Sequence, residues 1–202
     1  MIDAKLVYEL RNKTGAGIVD CKNALTEADG DEAKAIEILK QKGAIKAAKK
    51  QAERTASEGM IATYVHHNGK LAAMIELACE TDFVARNVEF KQLANDLAMQ
   101  IAAMDPQYVS PETIPAEAIE KKRQEFMAEV AADNKPEEIK QKIVEGKLNK
   151  WFSDVCLINQ AFIKNEDQTV EQVIAANVAK IGEKIVPIRF VRYQMAMPAT
   201  VC

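Results

Sequence analysis

The sequence predicts an α+β protein, with a helical unit over residues 1–54 followed by a core of helices and antiparallel strands over 55–202. Three observations carry this expectation. Apolar residues recur at helical spacing through the N-terminal segment; Asn68-Gly69 separates two runs whose apolar residues alternate; and Ile185 to Gln194 is rich in β-branched and aromatic side chains. At 202 residues the chain is long enough to bury a real core without disulfide or metal.

In order along the chain, Ile2, Leu6 and Leu10 share one face of a first helix over Lys5 to Arg11, which Thr14-Gly15-Ala16-Gly17 interrupts. A second helix carries Ile18, Cys21 and Leu25 as far as Asp29-Gly30. Asp31 then caps a third with Ala35, Ile36 and Leu39, ending near Gly43. A unit of roughly 40 to 45 residues lies near the lower limit of independent stability. Ala44 to Arg54 reads as a solvated basic helix bearing Lys46, Lys49, Lys50 and Arg54, without the interleaved aromatics that stack on bases, and Thr55 to Gly59 reads as a linker.

Met60 to His67 and Lys70 to Cys79 flank Asn68-Gly69, the residue pair favoured in a two-residue type I′ turn. With His67 opposite Lys70, the residues Met60, Ala62, Tyr64 and His66 face Leu77, Ile75, Ala73 and Leu71 on one largely apolar side. Thr63, Val65, Met74 and Glu76 lie on the other. Asn87 caps a long amphipathic helix with Phe90, Leu93, Leu97, Ile101 and Met104, which stops at Asp105-Pro106. Prolines 106, 111 and 115 mark a loop. Periodicity returns through Ile119, Phe126 and Val130, and again through Ile139 and Ile143 after a break at Asn134-Lys135-Pro136, predicting a helical hairpin over about 116–148. Thr169-Val170-Glu171-Gln172 forms a capping box for a helix ending at Gly182, Ile185 to Gln194 is a final strand, and the tail 195–202 has little to hold it.

Between the hairpin and the long helix stands Glu80-Thr81-Asp82-Phe83-Val84-Ala85-Arg86. A threonine able to cap, an acid in the first turn and an apolar pair is ordinary helix-start chemistry. On local features alone Phe83 reads as an aromatic packed beneath its own helix, because aromatics bury area far more often than they serve as probes.

The residues for covalent or metal chemistry are sparse. Lys plus Arg number 27 against 30 Asp plus Glu, which does not describe a general nucleic-acid binder. Cys21, Cys79, Cys156 and Cys202 are widely separated, against a zinc or dithiol site and in keeping with reduced thiols. His66 and His67, adjacent on a strand, would point to opposite faces, and His66 lies roughly 25 Å along the hairpin from Cys79 at about 3.3 Å per residue. Gly15 and Gly17 follow a helix and precede Asp20, whose charge repels phosphate, and Gln141 stands where a phosphate-binding loop ending at Gly146-Lys147 needs glycine. These observations predict a binding protein rather than an enzyme, with no cofactor and no metal. The start Met1-Ile2-Asp3-Ala4-Lys5 lacks an apolar signal core and no apolar run reaches membrane-spanning length, so a soluble, cytoplasmic protein is expected.

Three stretches together resemble the elongation factor Ts family: Leu10 to Leu25 (Leu10-Arg11-Asn12-Lys13-Thr14-Gly15-Ala16-Gly17-Ile18-Val19-Asp20-Cys21-Lys22-Asn23-Ala24-Leu25), Glu80 to Arg86, and Gly146 to Cys156. The resemblance implies a ubiquitin-associated-like three-helix module, then helices packed on a three-stranded antiparallel sheet. It implies a guanine-nucleotide exchange factor that binds elongation factor Tu, displaces its magnesium and promotes GDP release. Carried over by position, Arg11, Ile18, Val19 and Lys22 would dock on the GTPase's nucleotide-binding domain, while Thr81, Asp82, Phe83 and Val84 would form the wedge. Ile18 and Val19 stand where some relatives carry methionine, which keeps that contact apolar and alters its shape. Longer relatives hold a second copy of the core; none is found here, so the resemblance implies a short form that works as a homodimer, in a two-plus-two complex. The rival reading is an adaptor whose three-helix module binds protein and whose Lys46 to Arg54 segment binds RNA. Cys202 would either cross-link a dimer or sit in a reduced tail.

Overall fold

The computed structural model describes residues 3–14, 16–53, 55–131, 136–196 and 199–202, with the side chains of 44–53 also left aside. Of the basic residues, Lys46, Lys49 and Lys50 are therefore described in backbone only, and Arg54 lies outside what is described. The chain is α+β and divides into two compact units. One comprises residues 1–60, 78–91 and 172–186; the other comprises 61–77, 92–171 and 187–202.

The first unit opens with α1 (Ala4–Thr14), α2 (Ile18–Glu27) and α3 (Glu32–Glu53). Val7, Leu10, Cys21, Ala24, Leu25, Ala28 and Ala35 form its buried cluster, with Leu6, Ile36, Ile38 and Leu39 packed against it. Leu10, Cys21, Leu25 and Ala35 are positions that helical spacing singles out; Val7, Ala24 and Ala28 join them, and Ile18, expected on the same face as Cys21 and Leu25, is exposed instead. Asp31 Oδ1 accepts from Lys34 N–H at the start of α3, as the cap requires. The expected stop at Gly43 does not occur: α3 continues to Glu53. A single interior glycine costs about 1 kcal/mol, which the alanine- and lysine-rich residues after it offset through their helix propensity. The missing side chain also allows a close approach, since a Cβ at Gly43 would lie 3.4 Å from that of Ala179.

The same unit holds α4 (Asp82–Arg86), the first residues of α5 (Val88–Met104) and nearly all of α8 (Val170–Ile181). Asn87 breaks α4 from α5, and its Oδ1 accepts from Glu89 N–H. Gly182 closes α8 at φ +92°, with its N–H donating to Val178 C=O, the left-handed ending that glycine adopts without cost.

The sheet, most of whose residues belong to the second unit, runs β1-β2-β5-β6, from β1 (Glu58–Val65), β2 (Leu71–Cys79), β5 (Ile185–Gln194) and β6 (Thr200–Val201). Ala62, Ala73, Ile75 and Leu77 are buried while Ile61, Val65 and Met74 are exposed, as the alternation predicts. The turn differs from the expected two-residue form. His66 N–H donates to Leu71 C=O and Gly69 N–H to His66 C=O, and of the central pair only Gly69 is left-handed, at φ +68°. A type I′ turn needs positive φ at both positions; the observed loop spans His67 to Lys70 and keeps the predicted register. His66 and His67 therefore leave the strand, and their rings meet at 4.2 Å instead of pointing to opposite faces.

The sheet has four strands where three were expected. Val191 pairs with Val201 and Arg192 with Thr200, and Phe190 and Cys202 exchange both backbone hydrogen bonds, so the tail is held. The cause is the free edge of β5, whose unpaired amides and carbonyls accept a short strand. Arg192 is buried; it donates Nε–H to Ala102 C=O of α5 and pairs with Asp105 at 3.2 Å. A small hairpin, β3 (Ala161–Phe162) with β4 (Asn165–Thr169), went unpredicted. Gln100 supports it, donating to Ala161 C=O and accepting from Ile163 N–H.

The excursion is α6 (Ala116–Ala131) and α7 (Glu137–Val155). Val130, Val144 and Leu148 are buried, with Phe126, Met127, Ile143, Trp151 and Phe152 against them. Arg123 pairs with Glu145 and Lys147 with Glu129 across the two helices, while Lys122 and Lys147 lie 5.5 and 5.6 Å from the Phe126 ring centre. Helix α7 continues through Trp151 to Val155, beyond the predicted end near 148.

Two consequences are measurable. A Cβ at Gly69 would meet only open space, so Gly69→Ala carries just the left-handed backbone cost and should destabilise by about 1 kcal/mol in urea unfolding. Burial, reinforced by the Glu112 charge, pushes the Cys156 thiol from 9.0 up to about 12. The folded state then holds a proton that the unfolded chain releases, so stability falls between about pH 9 and about 12. Cys156→Ala should make that decline in calorimetric Tm shallower.

Candidate functional site

The candidate site in the first unit is built on Thr81. Strand β2 ends at buried Cys79, and Thr81 takes an extended backbone, φ −128° and ψ 155°, as the cap of α4. Its Oγ accepts from Val84 N–H at 3.4 Å, the local cap that the sequence suggests. Its other polar groups are engaged as well. Thr81 N–H donates to Glu183 Oε2 at 3.1 Å, and the hydroxyl donates to Glu183 Oε1 at 2.8 Å. The carbonyl accepts from Ala85 N–H and from the Cys79 thiol, each at 3.2 Å. Alongside, Glu80 Oε1 accepts from Lys184 N–H at 2.6 Å. The segments 79–81 and 183–184 are thus clasped through both side chain and backbone.

Burial pushes the Cys79 thiol up, and the Glu183 carboxylate pushes it further. The thiol keeps its proton and remains a donor to Thr81, which suits a support rather than a nucleophile.

From this base α4 projects outward. None of its residues is buried, and Phe83 is 81% exposed, so the packing of Phe83 beneath its own helix does not occur. Val84 is half-buried. Asp82 pairs with Arg86 at 3.0 Å one turn on, an exposed bridge worth little in stability that nonetheless restrains both side chains. An exposed phenylalanine on a short helix, whose cap Thr81 is held at its amide, hydroxyl and carbonyl, is an apolar side chain on a fixed backbone.

The N-terminal candidates lie on α1 and α2. Ile18 is 44% and Val19 70% exposed, and Arg11 and Lys22 are exposed. Ile18 and Lys22 are one turn apart, with Val19 beside them, while Cys21, Ala24 and Leu25 face inward. The result is an apolar spot edged by positive charge. Among the described residues no group of three or more His, Cys, Asp or Glu is placed to hold a metal ion.

Sequence reasoning missed Glu183 and Lys184, and with them the partner of Glu80 in the predicted stretch. A signal was present in Gly182-Glu183: a carboxylate just beyond a helix C-terminus opposes the helix dipole and is favoured there only when something else binds it. What binds it is Thr81, and no periodicity connects residues so distant in the chain.

Comparison with known proteins follows the same lines. Residues 22–197 match the family described as Elongation factor TS. The chain is 50% identical over 194 residues to Elongation factor Ts of Syntrophus aciditrophicus, covering 96% of each. It is 52% identical over 194 residues to Elongation factor Ts of Thermodesulfovibrio yellowstonii, again with 96% of each covered. It is 51% identical over 195 residues to Elongation factor Ts of Carboxydothermus hydrogenoformans, covering 96% of this chain and 89% of that one. The chain belongs to the elongation factor Ts family.

Proposed function

We propose that the chain is a guanine-nucleotide exchange factor that binds elongation factor Tu and promotes GDP release during translation elongation. Family membership supports the exchange role, and the observation that carries the mechanism is the exposed Phe83 on its clasped corner. Thr81, Asp82, Phe83 and Val84 enter the GTPase near its magnesium and shift the groups that hold the ion. Magnesium neutralises phosphate charge, so its displacement loosens GDP. The chain itself makes and breaks no covalent bond. Family membership supports a cytoplasmic site of action, and no helix among the described residues is long and apolar enough to cross a membrane.

The energetics are those of linkage. A factor that binds the nucleotide-free GTPase more tightly than the GDP form weakens GDP by the same factor. Burying a phenylalanine contributes on the order of 2 to 3 kcal/mol, and each about 1.4 kcal/mol is tenfold, so Phe83 needs further contacts beside it. Residues 1–54, a ubiquitin-associated-like module, provide them by docking Ile18 and Val19 on the nucleotide-binding domain, with Arg11 and Lys22 meeting its acidic groups. The core over 55–202, with its helical hairpin over about 116–148, carries the wedge.

The partner state is a homodimer in a two-plus-two complex. The apolar outer side of the sheet supports it: Ile61, Val65 and Met74 are exposed, and Tyr193 lies on the same side as Arg189, which reaches across to Glu76 at 2.7 Å. Equilibrium sedimentation should give twice the 22.4 kDa chain mass, and Ile61→Lys should shift it towards the monomer.

Release of fluorescent GDP from purified elongation factor Tu tests the exchange reading. Phe83→Ala should lower the maximal release rate about tenfold or more, while the Tm, set elsewhere, moves by no more than about 2 °C. Val19→Asp should instead raise the half-saturating concentration about tenfold with the maximal rate retained. Loss of Tm with exchange intact in Phe83→Ala would sink the wedge.

A further inference from the structure

We infer that Glu183 is a positioning residue for nucleotide exchange: its carboxylate, reaching the start of α4 from beyond the end of α8, fixes the direction in which Phe83 is presented. The inference rests on the exchange reading above and adds to it a residue outside the corner.

The two carboxylate oxygens of Glu183 take separate donors on one residue, Thr81 N–H at 3.1 Å and Thr81 hydroxyl at 2.8 Å. By accepting the hydroxyl proton, Glu183 selects the rotamer in which Thr81 Oγ turns its lone pairs to Val84 N–H at 3.4 Å. The distant carboxylate thus sets the local cap. Phe83 lies between the cap and the amide it receives, so the turn that carries the ring is closed only when this chain of bonds is complete. Helix α4 has five residues, none is fully buried and only Val84 and Ala85 give it half-buried apolar contact, so packing alone anchors it weakly. A helix so short does not persist on its own propensity. The Cys79 thiol holds the Thr81 carbonyl and the Lys184 N–H holds the Glu80 carboxylate, while Glu183 takes both the amide and the hydroxyl of Thr81 and so sets the orientation of the first turn.

A group that serves the fold alone would alter stability and not the exchange cycle in particular. A group that aims Phe83 alters the maximal release rate, since the docking residues on α1 and α2 are untouched. Glu183→Ala should therefore lower maximal GDP release from elongation factor Tu about tenfold, with the half-saturating concentration changed less than about twofold. Glu183→Gln keeps one acceptor oxygen and the side-chain volume, so it should fold as the parent does and fall between the two. The decisive measurement is the double variant. If Glu183 acts through Phe83, Glu183→Ala costs nothing further in a Phe83→Ala background. Hydrogen exchange at the Val84 amide should rise in Glu183→Ala and Glu183→Gln while the α2 amides keep their protection. Full additivity of the two substitutions would overturn the inference, as would unchanged release by both Glu183 variants alongside an impaired Phe83→Ala. Unchanged release by Phe83→Ala would overturn the wedge itself, and this role of Glu183 with it.

Discussion

An exposed aromatic side chain can act on a partner only if its backbone does not yield, and here that constraint is met by the pairing of Thr81 with Glu183. The pairing is charge-assisted on both oxygens and joins the end of a strand to the end of a helix. It replaces what burial would otherwise provide. A phenylalanine tucked into a core is held by its own contacts, whereas Phe83 gives those up and takes its order from residues before it. The unfavourable position of Glu183 past a helix C-terminus becomes intelligible in this light, because Thr81 supplies the donors that the dipole withholds.

The second unit solves a different problem. Its sheet buries one side and leaves the other open, and the alternation of Ala62, Ala73, Ile75 and Leu77 with Ile61, Val65 and Met74 keeps these two sides distinct until β2 ends in the buried run Leu77 to Cys79. The edge is managed by the short strand β6, two residues long, which covers part of β5 and closes a row of exposed backbone groups. The buried polar side chains Gln100, Gln160 and Arg192 are matched rather than avoided. Gln100 and Gln160 share a hydrogen bond and use their remaining atoms on backbone groups, and Arg192 meets Asp105, whose backbone sits at φ +46°. An aspartate tolerates that conformation better than most residues.

The proposed mechanism divides exchange between contacts that hold and contacts that displace. The apolar pair on α2 lies over a small three-helix core and can bind without straining anything. In the proposed mechanism the corner at Phe83 presses into a partner already occupied by magnesium and nucleotide, and a stiff corner converts binding energy into displacement. The same stiffness accounts for the supporting thiol of Cys79, which stays protonated in a buried site beside a carboxylate and donates to Thr81.

Much of this was legible in the residues themselves. The three N-terminal helices, the hairpin at Asn68-Gly69 with its register, the long helix after Asn87 and the helical pair near 116–155 all follow from periods, caps and breakers, which are local properties of the chain. The motif stretches also led to the family. The tertiary structure alone decided that Phe83 is exposed, since a helix-start sequence is the same whether its aromatic turns in or out. It decided that β5 has a fourth strand beside it, that α3 runs through Gly43, and that the hairpin turn takes four residues. Above all it decided the partner of Thr81. A capping threonine announces itself by its neighbours three residues on; a carboxylate brought to it from the far end of α8 does so only once the chain has folded, because its reach is set by where two elements end and not by any spacing in sequence.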